Sequence, residues 1–475
     1  LAFQAVEFAV AHINETLANT QTTINEQRLL AILAGHDRVV VLVESVERLL
    51  EHSVRDAFSH LLQAVQRDRA VQLVLTCRDY SVETVRNSLI APLGLLHSVH
   101  EVPALSDEDL QLVQEAVPSL DLPLRDSQLR AFLRTPYVLD MASRLEWEEG
   151  AHLENARAFR EKCWKELIRA EHFTAAGMPR RREAAFIDIA HRRATELRPF
   201  VRPDSPDAEA LDALVQASLI ACAPQSSVFF APAHDVLEDW AIIRWLDEQF
   251  SSTEDPITVL ADCVGGYPAL RRGFRRWLGE RFELSTDTAR NFVLGALNQP
   301  ELPSYFRDDC LVAALLSDAA DDFLAGCMDR IERGDTQLLS QIIHVLRVAC
   351  KASPRWLSIP GLPSQMLVPT GPGWVPVLQV VSRLIHSLLP TNALLILGFV
   401  EDWAKQIDWN NASPAGFKEA GLIVEALLPC FDGYRFDDTR KRTLEVLLKI
   451  PRAVPGFRGL IARAGTCDRR DYAAS

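Results

Sequence analysis

Two acids three residues apart, Glu44 and Glu47, close an apolar run that reads Arg38-Val-Val-Val-Leu-Val-Glu44-Ser-Val-Glu47. A carboxylate in that position can hold the water shell of a magnesium ion, and its neighbour can orient an attacking water. A second apolar run, Val71-Gln-Leu-Val-Leu-Thr76-Cys-Arg78, ends in a hydroxyl and a guanidinium. A cation beside magnesium-held phosphates fits phosphate chemistry. Further on, the pair His234-Asp235 offers an imidazole whose donor suits a phosphate oxygen and whose charge is tunable near neutral pH. Pro136 interrupts a helical pattern, so the chain kinks or restarts there. Each feature has a plainer alternative. Glu44 can be the polar end of a core strand, or the acid that favours the start of the next helix. Asp235 can be an N-cap with His234 filling the start of its helix. Pro136 can mark a simple helix–helix turn.

These residues need elements to position them. The run into Glu44 reads as a strand buried on both faces, as in a parallel sheet. Ser45 to Arg67 reads as a helix with Val46, Leu50, Val54, Ala57, Leu61 and Val65 along one side. The strand from Val71 then completes a βαβ unit, parallel and right-handed. Both strands deliver their polar ends to the carboxyl edge of the sheet, where open α/β sheets bind ligands. Leu1 to Leu17 reads as a helix, Glu26 to Leu33 as another, and Val99 to Leu105 as a candidate further strand. From Leu105 the pattern turns helical, opening on a capping box at Ser106-Asp-Glu-Asp109. Helices are expected over 159–170, 181–197 and 208–217. Two short strands follow, at 219–223 and 227–231. A helix from Asp235 carries Val236, Trp240, Ile243, Leu246 and Phe250 on its apolar stripe.

Taken together, over roughly residues 25 to 250, these features resemble the STAND NTPases, the signalling relatives of AAA+ ATPases that include the NACHT and NB-ARC groups. Glu44 and Glu47 fall where that family carries its Walker B acids. Thr76-Cys77-Arg78 resembles its T-x-R sensor motif. Thr135-Pro136 resembles the G-x-P or N-P element of its helical lid. Ala233-His234-Asp235 resembles its M-H-D motif, with Ala233 in place of Met. The resemblance implies the C-terminal part of an α/β P-loop NTPase core with a parallel sheet over 1–104. A helical lid over 105–149, a winged-helix domain over 150–250 and an all-α, HEAT-like solenoid over 251–475 would follow it.

The resemblance also implies ATP or ADP and Mg2+ as ligands. Glu44 and Glu47 would be catalytic, with Glu44 holding the metal through water. Thr76, Arg78, Pro136 and His234 would contact nucleotide, the proline near adenine and the histidine on the phosphates of ADP. It further implies slow ATP hydrolysis, a protein or phage-derived trigger on the solenoid, self-oligomerisation on activation, and a role in bacterial anti-phage defence by family analogy. Two departures stand out. The sequence contains no G-x-x-x-x-G-K-[ST] loop to cradle phosphates, which favours a piece of a longer protein in which the loop lies upstream. Glu44 stands where the family usually has Asp, and one methylene moves the carboxylate outward by roughly 1.5 Å. Magnesium's strict geometry makes that shift matter, so the site is expected to bind nucleotide better than it turns it over.

Composition narrows the classes. A net charge of −14 argues against a nonspecific nucleic-acid binder. The strongest basic segment, with Arg180-Arg-Arg182, Arg192-Arg193, Arg198 and Arg202, is interleaved with acids and reads as a mixed-charge surface. Nine cysteines without metal spacing point to reduced thiols and a cytoplasmic setting. No apolar run reaches the ~18 residues of a membrane span. Helices over 307–316, 320–332, 337–349, 377–389, 393–407, 415–428 and 439–450, paired at a spacing of roughly forty residues, suit an α-solenoid. It is interrupted by five prolines and three glycines between Pro360 and Pro376. Trp403, Trp409 and Phe417 are expected in its core. Two other readings compete: a catalytically degenerate helical-repeat scaffold, and a winged-helix transcription regulator.

Overall fold

The computed structural model describes residues 1–19, 24–36, 38–51, 54–67, 71–77, 81–100, 102–148, 155–172, 177–198, 200–204, 206–223, 226–333, 335–352, 368–405 and 415–427. They fall into two compact units that divide between Ala104 and Leu105.

The first unit is a small α/β body. Strands β1 (Ala2–Gln4), β2 (Val39–Glu44) and β3 (Val71–Leu75) form a three-stranded sheet in that order, all parallel. Helices α1 (Ile13–Asn19) and α2 (Glu26–Ala34) lie between β1 and β2, and α3 (Asp56–Arg67) between β2 and β3. The chain's start is therefore a strand followed by a 3₁₀ turn, Ala5–Phe8, and not the single helix that its apolar content predicts. Burial alternates there, with Phe3 and Ala5 inside and Ala2 and Gln4 outside, a period of two too short to outweigh the helical spacing that follows. In β2, Val41 and Val43 are buried but Val40 is 43% exposed. The sheet is thus covered fully on one face only. Phe3, Phe8, Phe58, Leu49, Leu61 and Leu62 build that covered core. The segment after Glu44 is a 3₁₀ turn, Val46–Glu51, before α3 begins, so it is two elements where one helix was expected. The described residues of 99–105 form no strand, and Val102 stands almost fully exposed. After α4 (Val82–Val85) the chain widens into a π turn over Arg86–Ile90.

The second unit is helical apart from two small β pairs. It opens with α5 (Asp107–Ala116), whose Ser106 and Asp109 form the expected capping box. Helices α6 (Asp121–Arg125), α7 (Ser127–Phe132) and α8 (Pro136–Ser143) follow. Next come α9 (Ala156–Cys163), α10 (Met178–Glu196), α11 (Ala208–Gln216), the antiparallel hairpin β4 (Ile220–Ala223) and β5 (Ser226–Pro232), and α12 (Asp235–Ser251). Val201 adds a bridge to Phe230 of β5. Leu124, Leu133 and Met141 share one hydrophobic core with Phe159, Phe186, Leu214 and Trp240, so 105–148 and the segment after it are packed as one body.

A helical array continues from there: α13 (Pro256–Val264), α14 (Pro268–Leu284), α15 (Thr286–Leu297), α16 (Ser304–Leu316), α17 (Ala320–Glu332) and α18 (Thr336–Ala349). The array closes with α19 (Trp374–Ala404) and α20 (Phe417–Leu427). Helices α12, α14, α16 and α18 pack successively in one layer, and α13, α15, α17 and α19 in a second. That two-layer stacking is the geometry of an α-solenoid. A short β pair, β6 (Lys351–Ala352) with β7 (Val368–Pro369), frames the segment that was expected as a long loop. Helix α19 runs unbroken through Pro390, where two helices were expected. A proline inside a helix removes one hydrogen bond, yet residues on both sides of Pro390, Val381 and Leu388 before it and Ile396 and Val400 after it, are buried in the core of the array. By length and composition α19 is apolar enough to cross a membrane. Its Val377, Val381, Ile396, Val400 and Trp403 are nevertheless buried in the core of the array. Trp403 meets Phe417 edge to face at 5.4 Å, while Trp409 and the helix expected over 439–450 lie outside the described residues.

Candidate functional site

In the first unit the predicted acids arrive at the carboxyl edge of the sheet. Glu44 is the last residue of β2 and its side chain is exposed. Gln4, its register partner on β1, donates from Nε2 to Glu44 Oε2 at 2.6 Å. Gln4 also donates its backbone N–H to Glu7 Oε2 at 2.9 Å. Burial pushes the Glu7 carboxyl above its ordinary pKa, against the opposing effect of that hydrogen bond. Neither Gln4 nor Glu7 was singled out from the sequence, because their segment reads as helix; the alternation of Phe3 and Ala5 was the available signal. The chain then turns at Ser45, which adopts a left-handed φ of 58°. Three bonds hold that turn. Ser45 N–H donates to Thr76 Oγ1 at 3.1 Å and Val46 N–H to the Thr76 carbonyl at 3.0 Å. Thr76 N–H donates to the Val43 carbonyl at 3.0 Å. Thr76 is thus the staple that joins the ends of β2 and β3. Glu47 sits half-buried in the 3₁₀ turn. Arg78 lies outside the described residues.

Among the described residues, no three His, Cys, Asp or Glu side chains converge in a way that would hold a metal ion. The fit for magnesium is therefore limited to the exposed carboxylate of Glu44 acting on the ion's own water shell, which suits an ion that dehydrates reluctantly. A cradle for the phosphates is not supplied by these residues, since the sequence lacks the glycine-rich lysine loop.

In the second unit the predicted His234 meets the residue that follows the predicted Pro136. Pro136 occupies the first turn of α8, where its missing N–H costs nothing, and is exposed. The next residue, Tyr137, stacks its ring on His234 with centroids 3.7 Å apart and planes 10° from parallel. His234 follows β5 and caps α12: its Nδ1 accepts the backbone N–H of Val236 at 3.1 Å. The histidine is therefore the N-cap, and the expectation that Asp235 plays this part does not hold. Asp235 instead meets Arg193 at 3.3 Å. Arg193 is buried and also donates to the buried Glu238 at 2.6 Å. This pair ties α10 to the first turn of α12. With Nδ1 accepting, the neutral imidazole carries its proton on Nε2, which makes that nitrogen the donor. Tyr137 was missed by the sequence reading because one tyrosine after a proline carries no pattern. Burial pushes its phenol far above the ordinary value.

Four of the basic residues of the same segment, Arg181, Arg182, Arg192 and Arg193, are engaged internally, while Arg180, Arg198 and Arg202 are exposed. Arg181 donates to Asp207 and Glu209, and Arg182 to the carbonyls of Leu167 and Ile168. Arg192 pairs with Glu196 and Asp204.

No protein-family model matches this sequence, and no curated protein matches it.

Proposed function

We propose that the chain is part of a nucleotide-controlled switch of the STAND type, in which residues 105–250 contribute to holding a nucleotide and the helical array senses a trigger. The observation that carries the reading is the stack of Tyr137 on His234 beside Pro136. Residues drawn from a lid-like segment and from the end of a winged-helix-like hairpin form one aromatic corner, with His234 exposed and Tyr137 half-buried. There an imidazole Nε2–H is the donor for a phosphate oxygen, and the flat Pro136–Tyr137 surface suits a purine. Taken by itself, the carboxyl edge of the first unit carries Glu44, an acid that suits a hydrated magnesium, with Thr76 as the staple of the adjoining turn. No hydrolytic step follows from these residues. In the switch reading, trigger binding on the array shifts the chain from a nucleotide-retaining form to one that exchanges nucleotide and self-associates in the cytoplasm. The nucleotide must bind the two forms unequally for this to work. Anti-phage defence is the family's setting and enters here by analogy only.

The test is binding of a fluorescent ADP analogue with Mg2+, followed by anisotropy. The expected result is saturable binding that weakens by about tenfold or more in His234→Ala, the scale of one lost charge-assisted hydrogen bond. Binding unchanged by that substitution would remove the histidine from the site, and no binding at all would favour the helical-repeat scaffold instead. That second reading draws on the missing phosphate loop and on the Gln4 amide engaging Glu44. The transcription-regulator reading is the weakest, because Arg181, Arg182, Arg192 and Arg193 are spent on internal partners.

A further inference from the structure

The N-terminal half of α14 carries four arginines, Arg271, Arg272, Arg275 and Arg276, and they are not equivalent. Arg271 clamps the buried Asp309 of α16 with two bonds, at 2.6 and 3.2 Å. Arg272 clamps the buried Asp239 of α12 with bonds of 3.0 and 2.7 Å. Asp309 is met on both oxygens by one fork, whereas both Arg272 bonds fall on Asp239 Oδ1. Arg275 stands 3.8 Å from Asp309 and Arg276 stands 3.5 Å from Asp239, and these two side chains are 39% and 48% exposed. One turn of helix thus presents two loosely held guanidinium groups in front of two anchored ones. The patch continues into the array. Arg275 acts electrostatically on Cys350, whose neighbour Lys351 shares Asp402 with Arg347 and Lys405. Asp308, beside Arg271, is the further carboxylate facing the patch, and it holds the Gln341 amide at 3.1 Å. Among the residues named, cations outnumber carboxylates, on a chain whose overall charge is −14.

We propose that this patch docks an acidic segment of a protein partner, a stretch rich in Asp or Glu. The proposal rests on reading the helical array as the sensor, and it names the chemistry of the trigger. Planar forks match carboxylates two oxygens at a time, and Arg271 on Asp309 already shows that match within the fold. Arg275 and Arg276 repeat the fork one turn along, facing outward. A long phosphodiester chain fits less well on a chain of net charge −14, whereas a short acidic segment engages the patch alone.

The test uses the full chain and a fluorescein-labelled, glutamate-rich peptide, with a single-stranded oligonucleotide of equal charge as the rival probe. The expected result is peptide binding that weakens with added salt and by about tenfold or more in the double variant Arg275→Glu/Arg276→Glu. Arg198→Glu, on another exposed arginine, leaves binding within about twofold. Arg275→Gln/Arg276→Gln gives the same loss in smaller measure, and unchanged circular dichroism excludes unfolding as its cause. The proposal is overturned if the peptide fails to bind at low salt, if the double variant binds it normally, or if the oligonucleotide binds more tightly than the peptide. No ADP or ATP enters this assay, so its failure leaves the ADP experiment standing, and the reverse holds as well.

Discussion

At the residue scale, His234 has two separable jobs. It caps α12 through Nδ1, and in the proposed site it presents Nε2–H to a phosphate. Replacing it by Ala removes both. Replacing it by Asn restores a good cap, because Asn is among the best N-cap residues, while removing the distal donor. His234→Ala is expected to lower the stability of the second unit by about 1 kcal/mol, and His234→Asn to recover most of that loss. Urea unfolding measures both. ADP affinity should fall equally in the two variants; if His234→Asn restored affinity along with stability, the histidine would be a cap and nothing more. The sequence made this position visible because a His-Asp pair after a hairpin and before an apolar stripe is a recognisable order of types. It hid Tyr137, since what matters there is a ring-to-ring contact between residues 97 positions apart, one at 137 and the other at 234. It hid Gln4 for another reason: three strand residues are too few to announce a period against the helix-like run behind them.

At the element scale, legibility tracks how cleanly an apolar stripe stands out from its surroundings. Helix α17 was read to the residue, because Phe323, Leu324, Cys327 and Ile331 recur without interruption. Helix α14 was not read at all. Its arginines mask a stripe of Leu270, Phe274, Trp277, Leu278 and Phe282 that is almost wholly buried. Helix α19 was divided at Pro390, since the local rule against proline is stronger than anything the sequence says about the packing that overrides it. The junction of α18, β6 and α19 gives a pH prediction. Asp402 is buried, which opposes its ionisation, yet hydrogen bonds from Lys351, Lys405 and Arg347 outweigh burial and hold its carboxyl below the usual range. Lys351 is drawn down too, by its own burial, despite Asp402. The acid side is governed by the carboxylate. A depressed folded pKa contributes stability that is present above the unfolded value of about 3.9 and is lost as pH falls through the folded one. Thermal midpoints measured against pH should therefore separate the wild type from Asp402→Asn most widely near neutrality, and the gap should close below about pH 4. A constant gap across that range would mean that Asp402 acts by shape and not by charge.

At the scale of the whole molecule, the second unit is bound together across the place where composition alone would cut it. Helix α12 contributes Leu237, Trp240 and Ala241 to the core shared with α5–α11, and Ile242, Ile243 and Leu246 to the core of the array. Ion pairs cross the same place. Arg160 of α9 holds Glu280 of α14, Asp239 of α12 is held by Arg272, and Asp247 of α12 is held by Arg281. The chain therefore does not divide at Phe250. A protein ended there would take Glu280 from Arg160 and Arg272 from Asp239, and would strip Ile242, Ile243 and Leu246 of their cover. Burying an Ile or Leu side chain contributes about 1.5–3 kcal/mol, so uncovering all three rivals the entire stability of an ordinary domain. Residues 150–250 expressed by themselves should yield insoluble or protease-sensitive material, whereas a protein ending after α20 should keep its helical core resistant to limited trypsin digestion. What a gene fusion or a library of shuffled domains can borrow from this chain is then the hairpin with its neighbouring helices on both sides, taken as a block.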